Sequence, residues 1–415
     1  MIFLTKWKET EIGKIPEEWG LIRIGDLFFV KNGKTNTQDA VTNGNYPLFD
    51  RSTQIKSSNK YLFDSEAIII PGEGKEFVPR YFSGKFDLHQ RAYAITPKTK
   101  NICVKFFYYW MYYYRTYLER IAVGSTVRSL RLDHLVSFPA PNPTLEEQQA
   151  ISKILSDLDS KIELNNQMNA TLEAMAQAIF KHWFIDFEFP DENGRPYKSS
   201  GGKMVDSELG EIPEGWEIKT ISEIADVKIG RTPPRKESEW FSTTSGIKWI
   251  SIKDLGSATP FILNTAERLT SHAMNRFKVP IIAEGTVMLS FKLTVGRVAI
   301  AAENMLSNEA IAHFNIKGRI TTPYLYGYLK NFDYNSLGST SSIATAINSE
   351  NIKDIKIVIP SFSIQKVYEQ LVNPYFERIK QNTKSSNILI KMRDSLLPKL
   401  MSGQIRVPVE VIKNA

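Results

Sequence analysis

At 415 residues the chain exceeds what one ordinary hydrophobic core fills, and its 42% hydrophobic and 11% aromatic content suits two or more domains. Lys and Arg outnumber Asp and Glu by 52 to 45, a net charge of +7 that fits a polyanionic partner. The single cysteine, Cys103, excludes an internal disulfide framework and a cysteine-rich zinc site.

The first residues, MIFLTKWKETEIGKIPEEW, carry no apolar stretch of signal-peptide length, and polar residues interrupt every later apolar run. A soluble, cytoplasmic protein is expected. The chain is then written twice. Glu11 to Thr35 aligns without a gap on Glu208 to Thr232, with Gly13, Ile15, Pro16, Glu17, Trp19, Ile24, Val30, Lys31, Gly33 and Thr35 recurring as identical residues. Within each half a short β run meets a glycine-containing turn, at Ser65 to Lys75 and at Glu284 to Arg297. An aromatic stretch follows, Phe106 to Tyr114 and Tyr324 to Leu329, and after it Gly-Ser-Thr, at Gly124 and at Gly338. Each half closes on proline and glutamine, Pro143 to Gln148 and Pro360 to Gln365, ahead of a long helical pattern. The expectation is α+β: two tandem α/β modules in an internal repeat, with two long helices.

From Leu145 to about Ile185 there is no Pro or Gly, and Ile151, Leu158, Leu172 and Ile179 recur at one heptad position. Ile154, Met168 and Met175 take another. A helix of this length spans roughly 60 Å. In the second copy Leu389 and Leu396 continue the series of Tyr368 and Tyr375, with Leu371 and Met392 at the other position. Asn165 and Asn382 hold equivalent places in the two stripes, where buried asparagines would fix the register of an antiparallel pair. Pro374 is expected to kink or interrupt the second helix. After the first helix, FEFPDENGRPYKSSGGKMVDSELG reads as a linker.

Taken together, the repeated GKIPEEW and GEIPEGW, LEEQQAISKIL, FKHWFIDFEFP and LLPKLMSGQIRV resemble the specificity (S) subunits of type I restriction-modification systems over essentially the whole chain. The resemblance implies target-recognition domains at 1–143 and 208–360, each reading half of a bipartite site in double-stranded DNA. It implies spacer helices at 144–187 and 361–405, packed antiparallel in a coiled-coil-like pair, a linker at 188–207 and a tail at 406–415. Two methyltransferase (M) subunits carrying S-adenosylmethionine would dock on the helices, and restriction (R) subunits with ATP-driven translocation would join. The chain itself would have no catalytic centre, cofactor or metal.

Rival readings are a stand-alone endonuclease or a repeat scaffold that binds only proteins. No G-x-G-x-x-G or P-loop occurs, and Asn373-Pro374-Tyr375-Phe376 half-fits an adenine methyltransferase loop. Asp64, Glu73 and Lys75 could be arranged as a magnesium nuclease triad. His89, His134, His182, His272 and His313 lack metal-ligand spacing, and KFFYYWMYYYRTYL reads as a packed helix sooner than a base-stacking platform. Arginine, lysine and short polar side chains on loops are the residues that meet phosphates and base edges. On that ground the candidates are Lys34, Thr35, Arg51, Arg91, Arg128 and Arg131 in the first half, and Arg231, Thr232, Arg235, Lys248, Lys253 and Arg297 in the second. The helix-pairing candidates are Ile151, Leu158, Asn165, Leu172, Ile179, Asn382, Leu389 and Leu396.

Overall fold

The computed structural model describes residues 6–256, 259–337 and 347–407. The Gly-Ser-Thr triplet at Gly338 and the tail beyond Val407 lie outside them. The chain divides into two compact units, residues 1–161 with 388–415, and residues 162–387. Each is a mixed α/β body. Among the described residues no helix is long and apolar enough to cross a membrane.

In the first unit a six-stranded sheet runs in the order Phe28–Asn32, Ala92–Pro97, Phe63–Pro71, Arg80–Leu88, Tyr46–Phe49, Lys56–Ser58. All neighbours are antiparallel except Tyr46–Phe49 on Arg80–Leu88. The central strand explains why the sheet holds: side chains alternate across a strand, so Ile68 and Ile70 enter one buried cluster while Ala67 and Ile69 enter another on the opposite face. The first of those clusters takes in the helix Val104–Tyr113, whose Phe106, Phe107, Tyr109, Trp110 and Met111 are buried. The aromatic run is therefore packing surface.

In the second unit a five-stranded sheet runs Ala225–Ile229, Ile311–Ile316, Val287–Ser290, Val298–Ala301, Phe261–Ile262. A four-stranded sheet, Phe241–Ser242, Glu267–Leu269, Ile247–Ile250, Leu306–Ser307, lies in the same unit. The same two-sided logic applies, with Val287 and Leu289 in one cluster and Met288 in another. Outside the larger sheets, an early strand of each half pairs with the last before its long helix: Gly20–Arg23 with Pro139–Asn142, and Glu217–Thr220 with Lys356–Ile359. Residues 188–207, expected as a linker, are folded onto this unit. Phe189 is buried and stacks on Trp216 at 5.0 Å and on Tyr197 at 4.6 Å.

The helix Leu145–Phe184 starts where Thr144 accepts the Glu147 amide, carries Glu146 and Glu147 in its first turn and Lys181 and His182 in its last. The helix Phe362–Met401 runs through Pro374 without the expected interruption. Pro374 and Gln370 are both exposed, so the carbonyl that loses its intrahelical donor faces water instead of the core. Glycine at position 403, with φ +74, ends the run.

The buried stripes differ from a simple two-position heptad seam. Leu155, Ala176, Phe180, Val372, Phe376 and Ile379 are buried beside Ile151 and Tyr368, whereas Met175, Leu371 and Met392 are exposed. A helix of 3.6 residues per turn drifts from a 3.5-residue repeat, which turns the second series outward.

Candidate nucleic-acid interface

Each half places a glycine, a basic residue and a threonine at the end of the edge strand of its main sheet. Glycine is required there because a Cβ at Gly33 would stand 1.9 Å from the Leu88 carbonyl oxygen, and one at Gly230 would stand 2.2 Å from that of Ser307. This tight crossing leaves Lys34 and Arg231 exposed. The Arg231 guanidinium donates to the Phe277 carbonyl at 3.1 Å.

The threonines are occupied inside the fold. Thr35 is buried and donates to the Asp87 carboxylate at 2.8 Å, while half-buried Thr232 donates to Glu309. A role for Thr35 at a ligand surface is thereby corrected: its hydroxyl anchors the turn that presents Lys34.

Around the first turn the structure gathers Arg51, Arg91 and Arg128. Arg51 and Arg91 both donate to Glu73, at 2.7 and 2.8 Å, and Arg128 lies on the two-residue strand opposite Gly74. The Arg91 hydrogen bond, with Arg51 beside it, holds the Glu73 carboxyl below the usual carboxylate range. His89 sits behind them, its imidazole held low by burial and by the charges of Arg51 and Arg91. Arg131 is the residue before a short helix and is exposed.

Three amides went unremarked in the sequence: Gln90 donates to Asn36 Oδ1 at 2.5 Å, and Asn32 donates to the Gln90 carbonyl at 3.3 Å. Exposed Asn and Gln beside cations are the groups that read adenine edges. Their signal was only the polar loop composition.

In the second unit the loop Phe291–Arg297 joins Arg231 and Thr232 at one end of the sheet. Phe291 donates to the Ala310 carbonyl, next to Glu309, and Arg231 donates to that of Ser307, both at 2.9 Å. Arg297 is half-buried and donates to the Ile252 carbonyl at 2.6 Å, which ties the loop to the helix Ile252–Gly256 carrying exposed Lys253.

Arg235 and Lys248 lie at the four-stranded sheet, where Trp249 Nε1 donates to the Arg231 carbonyl at 3.1 Å. The Arg235 guanidinium covers Phe241 at 4.3 Å and Trp249 at 4.7 Å and pairs with Glu267 at 2.8 Å, lining a hollow of about 440 Å³ with Ser238, Ser242 and Thr243. Lys248, its side chain 14% exposed, is paired with Glu303 at 2.6 Å and serves as an internal tie.

The nuclease triad is not assembled. Glu73 is clamped by two guanidiniums, and Asp64 lies at the far end of the extended strand Phe63–Pro71, more than about 20 Å away at 3.3 Å per residue. Among the described residues no group of His, Cys, Asp and Glu could hold a metal. The Asn373–Phe376 segment is helical, with Phe376 buried on Phe261 and Tyr326.

On the helices, Asn165 donates to Ser386 Oγ at 3.1 Å and Asn382 donates to Asn169 Oδ1 at 3.0 Å. Tyr368 lies on the Ala176 carbonyl at 3.5 Å, so residue numbers rise on one helix as they fall on the other. Leu172 and Ile179 pack at the edge of the same core. In the first unit Ile151 is fully buried, Leu396 packs against its cluster, and Leu158 and Leu389 are half-buried. There Asp159 accepts from both Arg393 and Tyr109 at 2.7 Å.

The repeated IPE-x-W segments also find their purpose. Trp19 donates to Glu147 at 2.9 Å, Arg406 donates to the same carboxylate at 2.7 Å, and a Cβ at Gly403 would meet Pro16 at 2.5 Å. Trp216 is enclosed by Phe184, Phe187 and Phe189.

Comparison with known proteins agrees with this architecture. The type I restriction modification DNA specificity domain matches residues 16–174 and 213–390. The chain is 30% identical over 433 residues to the MjaIX specificity subunit of Methanocaldococcus jannaschii, covering 97% of each, and 25% identical to the HindI specificity subunit of Haemophilus influenzae, covering 97% of this chain and 100% of that one. The crystal structure of a type I restriction-modification S subunit from M. genitalium shares the fold, with a TM-score of 0.60 at 18% identity over 96% of this chain and 98% of that one. The chain belongs to the type I restriction-modification DNA specificity family.

Proposed function

We propose that the chain is the DNA-recognition subunit of a type I restriction-modification complex, with each half reading one part of a bipartite duplex site. The observation that carries this is the matched glycine, basic residue and threonine turn, with further cations around it, at the same sheet position in both halves. Phosphate-binding cations on a rigid scaffold set register, and neighbouring amides and guanidiniums meet base edges. In this reading residues 1–143 and 208–360 are the recognition domains, the helical segments 144–187 and 361–405 pair antiparallel as a spacer, and the halves form a pseudo-twofold repeat.

Lys34, Arg51, Arg91, Arg128 and Arg131 would face one half-site, and Arg231, Lys253 and Arg297 the other. Arg235 would act from its own hollow. The exposed apolar residues Val367, Leu371, Ile388 and Met392 of the helix Phe362–Met401 would meet methyltransferase subunits, which supply S-adenosylmethionine and flip the adenine, and restriction subunits would join that assembly. Catalysis belongs to those partners.

The test is selection of bound sequences from randomised duplex DNA, using the chain reconstituted with its methyltransferase subunit. Two short motifs at fixed separation are expected. Salt-insensitive binding, or binding without any motif, would favour a protein-only scaffold or a sequence-blind binder.

A further inference from the structure

The loop Phe291–Arg297 carries one large apolar side chain that the described residues leave outside their packing. Leu293 is 95% exposed, the most exposed large hydrophobic among the described residues, and its φ is +63. The Thr294 amide donates to the Lys292 carbonyl at 2.7 Å across it, which closes the rare and strained γ-turn. A leucine gains nothing locally from that conformation, and a glycine would hold it without strain.

The rest of the loop is braced. Ser290 Oγ donates to the Thr294 carbonyl at 2.6 Å, the Ser290 amide donates to that of Arg297 at 2.9 Å, and Gly296 donates back to Ser290 at 3.0 Å. A firm platform thus holds up a single apolar side chain. Exposed Lys292 adjoins it, and the loop sits at the sheet end that carries Arg231.

An apolar tip among cations suits a surface that is charged outside and apolar between layers, and duplex DNA is such a surface. Side chains such as leucine enter between base pairs and partly unstack them while neighbouring cations meet phosphates. We propose that Leu293 is a wedge that inserts at a base step of the half-site read by the second recognition domain. The proposal rests on the DNA-recognition reading above.

The experiment uses the reconstituted complex and its selected duplex, with 2-aminopurine placed in turn at each adenine of the second half-site. Apart from the adenine that the methyltransferase subunit flips, wild type should raise the fluorescence at one step. Leu293→Gly, which keeps the turn but removes the wedge, should abolish that rise and weaken specific binding roughly tenfold with the salt slope unchanged. Leu293→Met should restore both. Unaltered fluorescence and affinity in Leu293→Gly, with wild-type selectivity intact, would overturn the wedge alone. Loss of assembly with the methyltransferase subunit and unchanged DNA binding would overturn it in favour of a protein contact. Absence of sequence selectivity in wild type would overturn the recognition reading and the wedge with it.

Discussion

Asn382 donates its side-chain amide to Asn169 Oδ1 at 3.0 Å, both residues being at most 5% exposed between the two long helices of the second unit. Asn165 reaches Ser386 Oγ and so completes a polar layer in an otherwise apolar seam. Removing one partner strands the other, at about 1–3 kcal/mol. Asn169→Ala should therefore lower the urea midpoint markedly. The double change Asn169→Leu with Asn382→Leu should recover or exceed wild-type stability, because two apolar groups satisfy each other. A double mutant as unstable as the single would show that the layer contributes more than mutual satisfaction.

Gln148 and Gln365 perform one task twice. Each is buried and donates to the carbonyl of the proline five residues earlier, Pro143 and Pro360, at 3.0 Å. Each accepts a backbone amide at the start of its domain's helix, from Cys103 at 3.3 Å and from Thr321 at 3.1 Å. Substitution by Ala at either position should cost a similar amount, about 1–3 kcal/mol, by leaving those backbone groups unpaired. Equal losses in denaturant melts are expected; a loss at only one site would mean that water replaces the amide at the other.

His313 sets an acid limit on the second unit. It is buried, its Nε2 lies 2.6 Å from Ser307 Oγ, Nδ1 has no partner among the described residues, and burial with Lys228 nearby holds its imidazole down to about 4. The unfolded imidazole titrates near 6.5, so between pH 6.5 and 4 the unfolded chain takes a proton that the native one refuses. Stability attributable to this group is constant above pH 7 and falls as pH drops through that window, by up to about 3 kcal/mol. His313→Gln should flatten that part of the profile. Parallel wild-type and variant profiles from pH 4 to 7 would contradict the assignment.

Arg51 and Arg91 are both paired with Glu73, so if they meet phosphates Glu73 competes with DNA for them. Glu73→Gln should release both guanidiniums, raise affinity for random-sequence duplex several-fold at low salt and steepen the salt dependence, each released phosphate contact adding roughly 0.9 to the slope. Arg91→Ala should make the slope shallower by about the same amount. Titrations between 50 and 200 mM salt separate these outcomes from an unchanged slope, under which the cluster would be structural.

The two long helices and the mixed α/β fold were legible because they are written in spacing: Gly33 and Gly230 recur where the backbone allows no Cβ, and Gln148 and Gln365 where a proline carbonyl needs a donor. Side-chain commitments were not legible. Lys248 and Thr35 look like surface polar residues in the sequence, yet Glu303 and Asp87 claim them, and those partners lie 52 or more residues away. Pro374 misled for a related reason, since its effect depends on which face of the helix meets water. Leu293 had no periodicity to betray it, being one apolar residue in a loop.

If the helices measure the distance between half-sites, lengthening both should lengthen the DNA spacer. Asp159 pairs with Arg393 in the first unit, and Asn165 with Ser386 in the second. A seven-residue insertion between Asp159 and Asn165, matched by one between Ser386 and Arg393, preserves both sets of partners and keeps the buried stripe in phase. Seven helical residues add about 10 Å, close to the rise of three base pairs. Selection with the lengthened complex should return the same two motifs a few base pairs further apart. An insertion in one helix alone should disrupt the Asn layer and lower stability without a defined new spacer. The same motifs at the original separation in the doubly lengthened protein would mean that the DNA bends to fit, or that the partner subunits set the distance.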